Sequence, residues 1–477
     1  MSNGCVNSET EYLNKLALKA GGCYVFSSIM LRAISMLTTP IFTRLMSTEE
    51  YGVTSTFDSW VSLLTVFCTL NLTYSIGRAK LDYLGKLDEY IGAMQLLSLL
   101  LSGILSTVLI MFCRPLSGVM EIPVIALPLL ALQLISNPII EFYQNGTRYR
   151  YKYKENIAIG WYSSIANIAL SLFLVLSINA DKAILRIIGG VMPSLVLAMF
   201  LLSKSIRNGS LRYNAKYWKY GITLSTPLVL HEISHSILSQ SDRIFISRIC
   251  GASDTGIYSI AYNYGCLMSV VTGAIANGWL PWFHDKYYAK EFNEIRKNSK
   301  YIVVLGCYIG LACIDLAPEA VAVLGGSEYA KGMYCIAPVT LGIVCQYVYT
   351  HYVNIEMHLK KTKFVPVGTI IAAVINLVLN AVFIPRFGFI AASYTTFASY
   401  FVLMLIHYFF SKWILKVSLY DDEFMFGSVL ITSLISVVLI WSYKHTVIRY
   451  VMLIIGFISF LYIYRSYIIG WTKKRKK

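Results

Sequence analysis

The sequence predicts an all-α polytopic membrane protein of about 14 transmembrane helices, arranged as two six-helix lobes followed by two further helices. Hydrophobic residues make up 56% of the 477 residues and charged residues only 14%, whereas about a quarter of a soluble domain is charged. The mean hydropathy is +0.60. Apolar segments of about 20 residues, long enough to cross a bilayer core, follow one another along almost the whole chain. A water-soluble fold is therefore excluded.

The predicted spans are separated by short polar connections. The seventh, eighth and tenth spans are the least apolar, because they contain His, Asn or Glu. The spans cover residues 20–43, 53–76, 91–113, 122–146, 157–178, 186–203, 218–240, 257–283, 300–317, 333–357, 365–384, 389–411, 424–443 and 447–470.

The placement of positive charge predicts the orientation. If the N-terminus lies inside, 29 of the 41 Lys and Arg residues fall on the inner side and 10 at the outer ends of spans. Positive loops are retained in the cytoplasm, so both termini are expected there. The net charge of +16 then reflects topology and membrane lipids, and we expect no nucleic-acid partner. The basic tail at residues 473–477 is expected to anchor the topology or to contact anionic headgroups.

An internal repeat predicts the lobes. Arg44 and Gly52 recur as Arg248 and Gly256, 204 residues later. Further polar landmarks recur at an offset of 209 residues, with Lys152, Lys154 and Asn167 returning as Lys361, Lys363 and Asn376. Fixed spacing of this kind indicates duplication.

The repeat covers six spans, an even number, so the two lobes are expected to share one orientation in the membrane. We predict an N-terminal lobe at residues 1–210 and a C-terminal lobe at 211–415. Residues 416–477 then carry two additional helices and the tail. Paired lobes of this type are a transporter architecture, with the substrate path expected between them.

Two segments resemble bacterial polysaccharide-unit (oligosaccharide) flippases of the multidrug/oligosaccharidyl-lipid/polysaccharide exporter superfamily. Residues 24–52 read YVFSSIMLRAISMLTTPIFTRLMSTEEYG. Residues 376–393, NLVLNAVFIPRFGFIAAS, are similar to the family's eleventh-to-twelfth helix junction. The pair Asp242-Arg243 also looks like an acidic-basic pair of that family. The resemblance covers essentially the whole chain.

The resemblance implies a MATE-like fold with a central cavity and no catalytic residue. It implies export of undecaprenyl-pyrophosphate-linked oligosaccharide repeat units across the bacterial inner membrane, for O-antigen, lipopolysaccharide or another polysaccharide. A lipid-linked oligosaccharide is then the substrate, and a polysaccharide polymerase and a chain-length regulator are candidate partners. Two alternatives stay open: a membrane enzyme of the same pathway, such as a polymerase or acyltransferase, and a drug or cation antiporter of the same fold.

Charged residues inside apolar spans are the candidate site. Arg32 lies in the middle of the first span, and intramembrane charges face the protein interior and mark function. Arg32 is predicted either to contact a substrate phosphate or to form an ion pair with Asp58. Asp58 is that partner or a protonation site.

The seventh span carries His231, Glu232 and His235. The two histidines are one helical turn apart on one face and are assigned to substrate binding, with interhelical hydrogen bonding as the alternative. Glu232 and Asp242 are candidates for coupling to protons or another cation, or for charge pairing. No third ligand at a suitable spacing accompanies the histidines, so we expect no metal site and no cofactor.

Three further arginines lie at the ends of spans. Arg44 and Arg248 are placed at outer ends and Arg78 at an inner one. They are predicted to contact an anionic headgroup, although arginines at helix ends also extend toward the interface without a ligand.

Overall fold

A computed structural model describes the backbone of residues 2–474 and the side chains of residues 20–465. Within this range the chain is helical and contains no strand. Eleven of the described helices are long and apolar enough to cross a membrane, and two bent helix pairs raise the number to 13. The predicted all-α, multi-pass membrane fold is confirmed. The basic tail at 473–477 lies outside the described side chains.

The helices follow one another through short connections. Residues 72–74 and 327–332 form 3-10 turns, and residues 410–414 form a π-helical turn. The helices are α1 Ser2–Leu45, α2 Thr48–Thr69, α3 Ser75–Asp82, α4 Leu87–Met111, α5 Cys113–Met120, α6 Ala126–Tyr149, α7 Tyr153–Ser177, α8 Lys182–Arg207, α9 Ala215–Ile249, α10 Ala252–Gly265, α11 Leu267–Tyr288, α12 Phe292–Asp315, α13 Ala317–Leu324, α14 Met333–His358, α15 Phe364–Phe387, α16 Ile390–Phe409, α17 Asp422–Ser442 and α18 Thr446–Lys474.

The predicted seventh span corresponds to α9, which is long enough to cross a membrane at 35 residues. It is not among the 11 to 13 helices or bent pairs that are apolar enough to count as membrane spans. The reason is its content of Ser, His, Glu, Asp and Arg side chains, many of them buried. Each of the other 13 predicted spans overlaps a described helix or bent helix pair that is long and apolar enough to cross a membrane.

The second predicted span is one of the bent pairs. Helix α2 begins at a capping box, in which the Ser47 hydroxyl accepts from the Glu50 amide and the Glu50 carboxylate accepts from the Ser47 amide. It ends where Leu70 and Asn71 adopt left-handed φ angles of 44° and 49°. The chain then continues into α3 at an angle of 55°.

The described chain packs as two compact units. The first contains Met1–Ser259 and Leu377–Phe389, and the second contains Ile260–Asn376 and Ile390–Lys477. The predicted lobe boundaries at residues 210 and 415 follow the sequence repeat and not the packing, and they stay a prediction.

The core of the first unit lies between α4, α6 and α8. Leu127, Leu130 and Leu134 of α6 are fully buried there. Tyr90 and Met94 of α4 pack in a neighbouring cluster toward α9. These apolar contacts hold α6, α8 and α9, three of the helices that carry candidate site residues.

The two copies of the repeated motif contact each other inside the first unit. A Cβ added at Gly52 would lie 1.7 Å from the carbonyl oxygen of Ala252, and one added at Gly256 would lie 2.2 Å from that of Thr48. The Thr48 and Ser253 hydroxyls are 2.7 Å apart. Residues 48 and 52 are equivalent to 252 and 256 at the repeat offset of 204. The contact is therefore reciprocal, as expected for a pseudo-two-fold relation between duplicated segments.

Helix α14 forms the centre of the second unit. It packs against α11, α12, α16 and α17, and most of its side chains are buried. By contrast, α17 and α18 carry exposed apolar side chains such as Leu434, Phe457 and Ile458. An apolar surface of this size suits a lipid environment better than water.

Candidate functional site

Arg32 lies in α1 with an exposed side chain. Among the described residues it has no hydrogen bond or ion pair, and the structure does not place it in a pair with Asp58. A charge in an apolar span is normally paired or faces a polar cavity. Arg32 is therefore available to an external anion.

Asp58 has a different electrostatic environment from the one predicted. Its side chain is exposed on α2, and the nearby positive charges that act on its carboxylate belong to Arg186 and Arg243. We call these three residues the Asp58 cluster. Its net formal charge is +1.

Arg186 was missed as a site residue by the sequence analysis, which assigned it to an outer connection. Helix α8 begins at Lys182, because the Asp181 side chain caps it by accepting from the amides of residues 183 and 184. Arg186 thus lies one turn inside an apolar helix, and this position is the signal that could have identified it.

The Arg186 guanidinium is held by aromatic rings. It stacks 4.5 Å from the ring centroids of both Phe42 and Tyr51. Cation–π contacts of this kind contribute about 0.5–2 kcal/mol. One of its terminal nitrogens, Nη1, is buried and has no hydrogen-bond partner among the described residues. The group is fixed in place while keeping donor capacity.

Asp242 and Arg243 are both buried and fully engaged. The Asp242 carboxylate accepts from Tyr258 Oη at 2.5 Å and from Asn380 Nδ2 at 2.7 Å. Arg243 donates from Nε to the Ser259 hydroxyl at 3.2 Å. The sequence motifs at residues 242–243 and 376–393 therefore contact each other through Asp242 and Asn380.

Glu232 lies near a carboxylate that the sequence analysis did not select. Glu141 of α6 is within electrostatic range of Glu232 of α9, and its Oε1 accepts from the Thr73 hydroxyl at 3.0 Å. Like charges repel, and a proton or a cation bound at either carboxylate reduces that repulsion. The isolated Glu in the fourth predicted span was the available signal for Glu141.

His231 and His235 lie on one face of α9, with ring centroids 6.4 Å apart. His235 is exposed and His231 is half-buried. In the part of the chain that the structure describes, no group of three His, Cys, Asp or Glu side chains is arranged to hold a metal ion.

The three span-end arginines are dispersed. Arg78 is exposed and pairs with Asp82 at 3.1 Å, and Asp82 also accepts from Tyr220 Oη at 2.5 Å. Arg44 is exposed and donates to the Pro40 carbonyl at 3.0 Å. Arg248 is exposed and donates weakly to the Val119 carbonyl at 3.4 Å. The charged groups that remain candidates within the first unit are Arg32, the Asp58 cluster and the Glu141–Glu232 pair.

Solved structures show which fold this is. The structure of the lipid II flippase MurJ in an inward closed conformation matches with a TM-score of 0.65 at 15% identity, covering 93% of this chain and 99% of MurJ. An inward-facing multidrug resistance MATE family transporter matches with a TM-score of 0.64 at 12% identity, covering 81% of this chain and 94% of the transporter. The MATE-like fold implied by residues 24–52 is confirmed.

Curated relatives match parts of the chain. A protein named "Probable low-salt glycan biosynthesis flippase" from Haloferax volcanii is 21% identical over 49% of this chain and 50% of its own length. The capsular polysaccharide biosynthesis protein CapF of Staphylococcus aureus is 23% identical over 54% of this chain and 66% of its own length. The chain thus spans about half to two thirds of the length of these relatives.

The sequence model of the family described as "Polysaccharide biosynthesis protein" matches residues 18–287, more than half of the chain. This match contains the opening motif, the Asp58 cluster and the whole of α9. The predicted resemblance is confirmed at the level of the family: the chain is a multi-pass membrane protein that belongs to the polysaccharide biosynthesis protein family.

Proposed function

We propose that the protein is a flippase that moves an undecaprenyl-pyrophosphate-linked oligosaccharide from the inner to the outer leaflet of the bacterial cytoplasmic membrane. The proposal draws on the family match, on the fold, and on relatives whose names refer to glycan and capsule synthesis. Sugar hydroxyls and a pyrophosphate cannot enter hydrocarbon unaided, because each unpaired polar group costs several kcal/mol there.

The observation that carries the proposal is the state of Arg32. An exposed guanidinium in the middle of an apolar span, with no partner among the described residues, is expensive unless a ligand anion compensates it. A pyrophosphate offers such an anion in a form that a planar guanidinium binds with two parallel hydrogen bonds. Arg186 adds a second fixed donor on the same unit.

The second unit offers a place for the lipid part of the substrate. An apolar cavity of about 800 Å³ lies between α12, α17 and α18, lined by side chains such as Leu311, Ile431, Met452 and Phe460. A prenyl chain gains about 0.8 kcal/mol for each methylene that it buries, although lipid tails offer it a similar environment. The cavity therefore favours guidance of the chain more than tight binding.

Transport is proposed to be coupled to protons or another cation, with the Glu141–Glu232 pair as the ion-binding group. Binding of a proton or another cation at these carboxylates relieves the repulsion between them. Both termini are proposed to face the cytoplasm, in accordance with the distribution of positive charge.

Arg32→Ala in cells that depend on this protein tests the function. The variant should accumulate lipid-linked oligosaccharide in the inner leaflet at normal expression, whereas Arg32→Lys, which keeps the charge but not the planar fork, should be only partly defective. Arg114→Ala removes an exposed arginine outside the candidate site and should transport normally.

Leaflet distribution is read by access of an impermeant lectin or enzyme to the sugar in spheroplasts. Transport at the full rate by Arg32→Ala would refute the assignment of Arg32. Normal outer-leaflet delivery after depletion of the protein itself would refute the flippase function.

A further inference from the structure

A small polar pocket opens near the inner ends of α4, α6 and α8, apart from the residues assigned to transport. Its volume is about 90 Å³, room for about three water molecules at ~30 Å³ each. Three cations, Arg150, Lys152 and Lys204, line it together with the Asp88 carboxylate and the polar side chains of Ser205 and Asn208. A phosphate group fits a volume of this size.

The positive charges of the pocket exceed the negative ones around it. Arg150 pairs with Asp88 at 2.5 Å, and Lys204 pairs with Glu155 at 2.5 Å. Lys152 is exposed and has no hydrogen bond or ion pair within the described side chains. With Lys152 counted, these five groups carry a net charge of +1.

Two carboxylates hold their cations in fixed positions around the pocket. Glu155 also accepts from Tyr143 Oη at 2.7 Å, and Asp88 receives a second bond from Arg150 Nε at 2.7 Å. The side chains of Arg150 and Lys204 are 27% and 44% exposed. They therefore stay accessible to a ligand without a large rearrangement.

A buried amide donor points to a ligand. Gln95 is 2% exposed and lines the pocket, and its Nε2 has no hydrogen-bond partner among the described residues. An unsatisfied buried donor costs about 1–3 kcal/mol. A phosphate oxygen that reached Nε2 would remove that cost.

The wall of the pocket depends on a close backbone approach. A Cβ at Gly92 would lie 1.8 Å from the carbonyl oxygen of Ser210, so only glycine lets the α8–α9 connection lie on α4. The Ser210 hydroxyl is held by the Ser205 carbonyl at 2.9 Å. The pocket is therefore a formed feature of the fold.

We propose that this pocket binds a phosphate group on the face predicted to be cytoplasmic. Lys152 supplies the unpaired charge, Gln95 the buried donor, and Arg150 and Lys204 the flanking charges. Two sources share this chemistry: inorganic phosphate from solution, and the phosphate of an anionic phospholipid headgroup in the adjacent leaflet. The proposal is independent of the substrate assigned to Arg32.

The test uses the full-length protein in nanodiscs of phosphatidylcholine, with or without phosphatidylglycerol. Thermal unfolding is followed during titration with sodium phosphate, and with sodium chloride at equal ionic strength. Lys152→Gln and Gln95→Leu should each weaken the stabilising response at least tenfold in midpoint concentration, about the effect of losing one hydrogen bond to a charged group. Lys154→Gln is the matched control, because Lys154 is an exposed lysine two residues away that does not line the pocket.

Stabilisation by phosphate in pure phosphatidylcholine identifies inorganic phosphate as the ligand. Stabilisation that requires phosphatidylglycerol identifies the lipid headgroup. The proposal fails if neither stabilises the wild-type protein beyond the chloride control, or if Lys154→Gln weakens the response as much as Lys152→Gln does. Because Lys152 is exposed, its variant remains informative even if Gln95→Leu does not fold.

Discussion

Gly52→Ala should separate the two copies of the repeated motif. An alanine Cβ at position 52 would lie 1.7 Å from the Ala252 carbonyl oxygen, and Cβ atoms essentially never approach closer than 3.0 Å, so the backbones must move apart by about 1.3 Å. Overpacking of this kind costs about 1–3 kcal/mol. If the protein also populates a state without this contact, the substitution shifts the equilibrium toward that state by about 5–150-fold.

Cysteine cross-linking measures the shift. The Thr48 and Ser253 hydroxyls are 2.7 Å apart, so Thr48→Cys with Ser253→Cys can form a disulfide, whose sulfur atoms are about 2.0 Å apart. In a background without the native cysteines, Gly52→Ala should lower the rate of oxidative cross-linking at least fivefold. It should also change transport, because the balance between the two states changes.

Gly103→Ala is the matched control. A Cβ at Gly103 meets nothing within 4 Å, and alanine in a helix is favoured over glycine by about 0.5–1 kcal/mol. This variant should cross-link and transport like the parent. Unchanged cross-linking in monodisperse Gly52→Ala protein would show that the glycine contact does not report on the conformational equilibrium.

Three further predictions concern charged groups. Arg449→Met should lower the apparent Tm, because the buried Arg449 side chain donates hydrogen bonds to Glu319 and to the Asp315 carbonyl. Their loss should reduce the free energy of unfolding by about 1–3 kcal/mol. Arg386→Met, at an exposed position, should leave the Tm unchanged. Glu232→Gln should lower the rate of transport, because it removes a carboxylate proposed to bind the coupling ion. Glu328→Gln, an exposed control, should transport at the wild-type rate. The Lys300 ammonium lowers the pKa of Asp421, so this ion pair stabilises the fold at neutral pH. Its contribution falls once the pH drops below the ordinary aspartate pKa of about 4, and the difference in Tm between wild type and Asp421→Asn should therefore be smaller at pH 3 than at pH 7.

The fold class was predictable because a bilayer imposes a coarse rule. Each span must satisfy its own backbone and present an apolar surface to lipid, and both requirements are visible in composition and segment length. The bend after α2 was not predictable, because it depends on left-handed backbone at Leu70 and Asn71. Neither residue is glycine, the residue type that would have indicated this conformation in the sequence.

The charged site was predicted as a set of residues but not as a set of partners. Asp58 and Arg32 were candidates for one ion pair, yet the cations near Asp58 are Arg186 and Arg243. Sequence spacing within one helix fixes which side chains share a face, but it does not fix how helices α2, α8 and α9 are rotated against each other. Arg186 was missed for a related reason. The sixth span was predicted to begin at residue 186, whereas α8 begins at Lys182, so the prediction placed Arg186 at the outer end of the span instead of one turn inside it.

Helix α9 connects these results. Hydropathy is least decisive for this segment because Ser225, Ser234, Asp242 and Arg243 are polar, and all four are buried against protein. A lipid-facing helix could not carry them, since charged and hydroxyl groups in hydrocarbon lack partners. Their burial therefore requires α9 to be enclosed by other helices, as its packing against α2 and α4 shows. The segment that least resembles a membrane span in hydropathy therefore supplies two of the candidate site residues, Glu232 and Arg243.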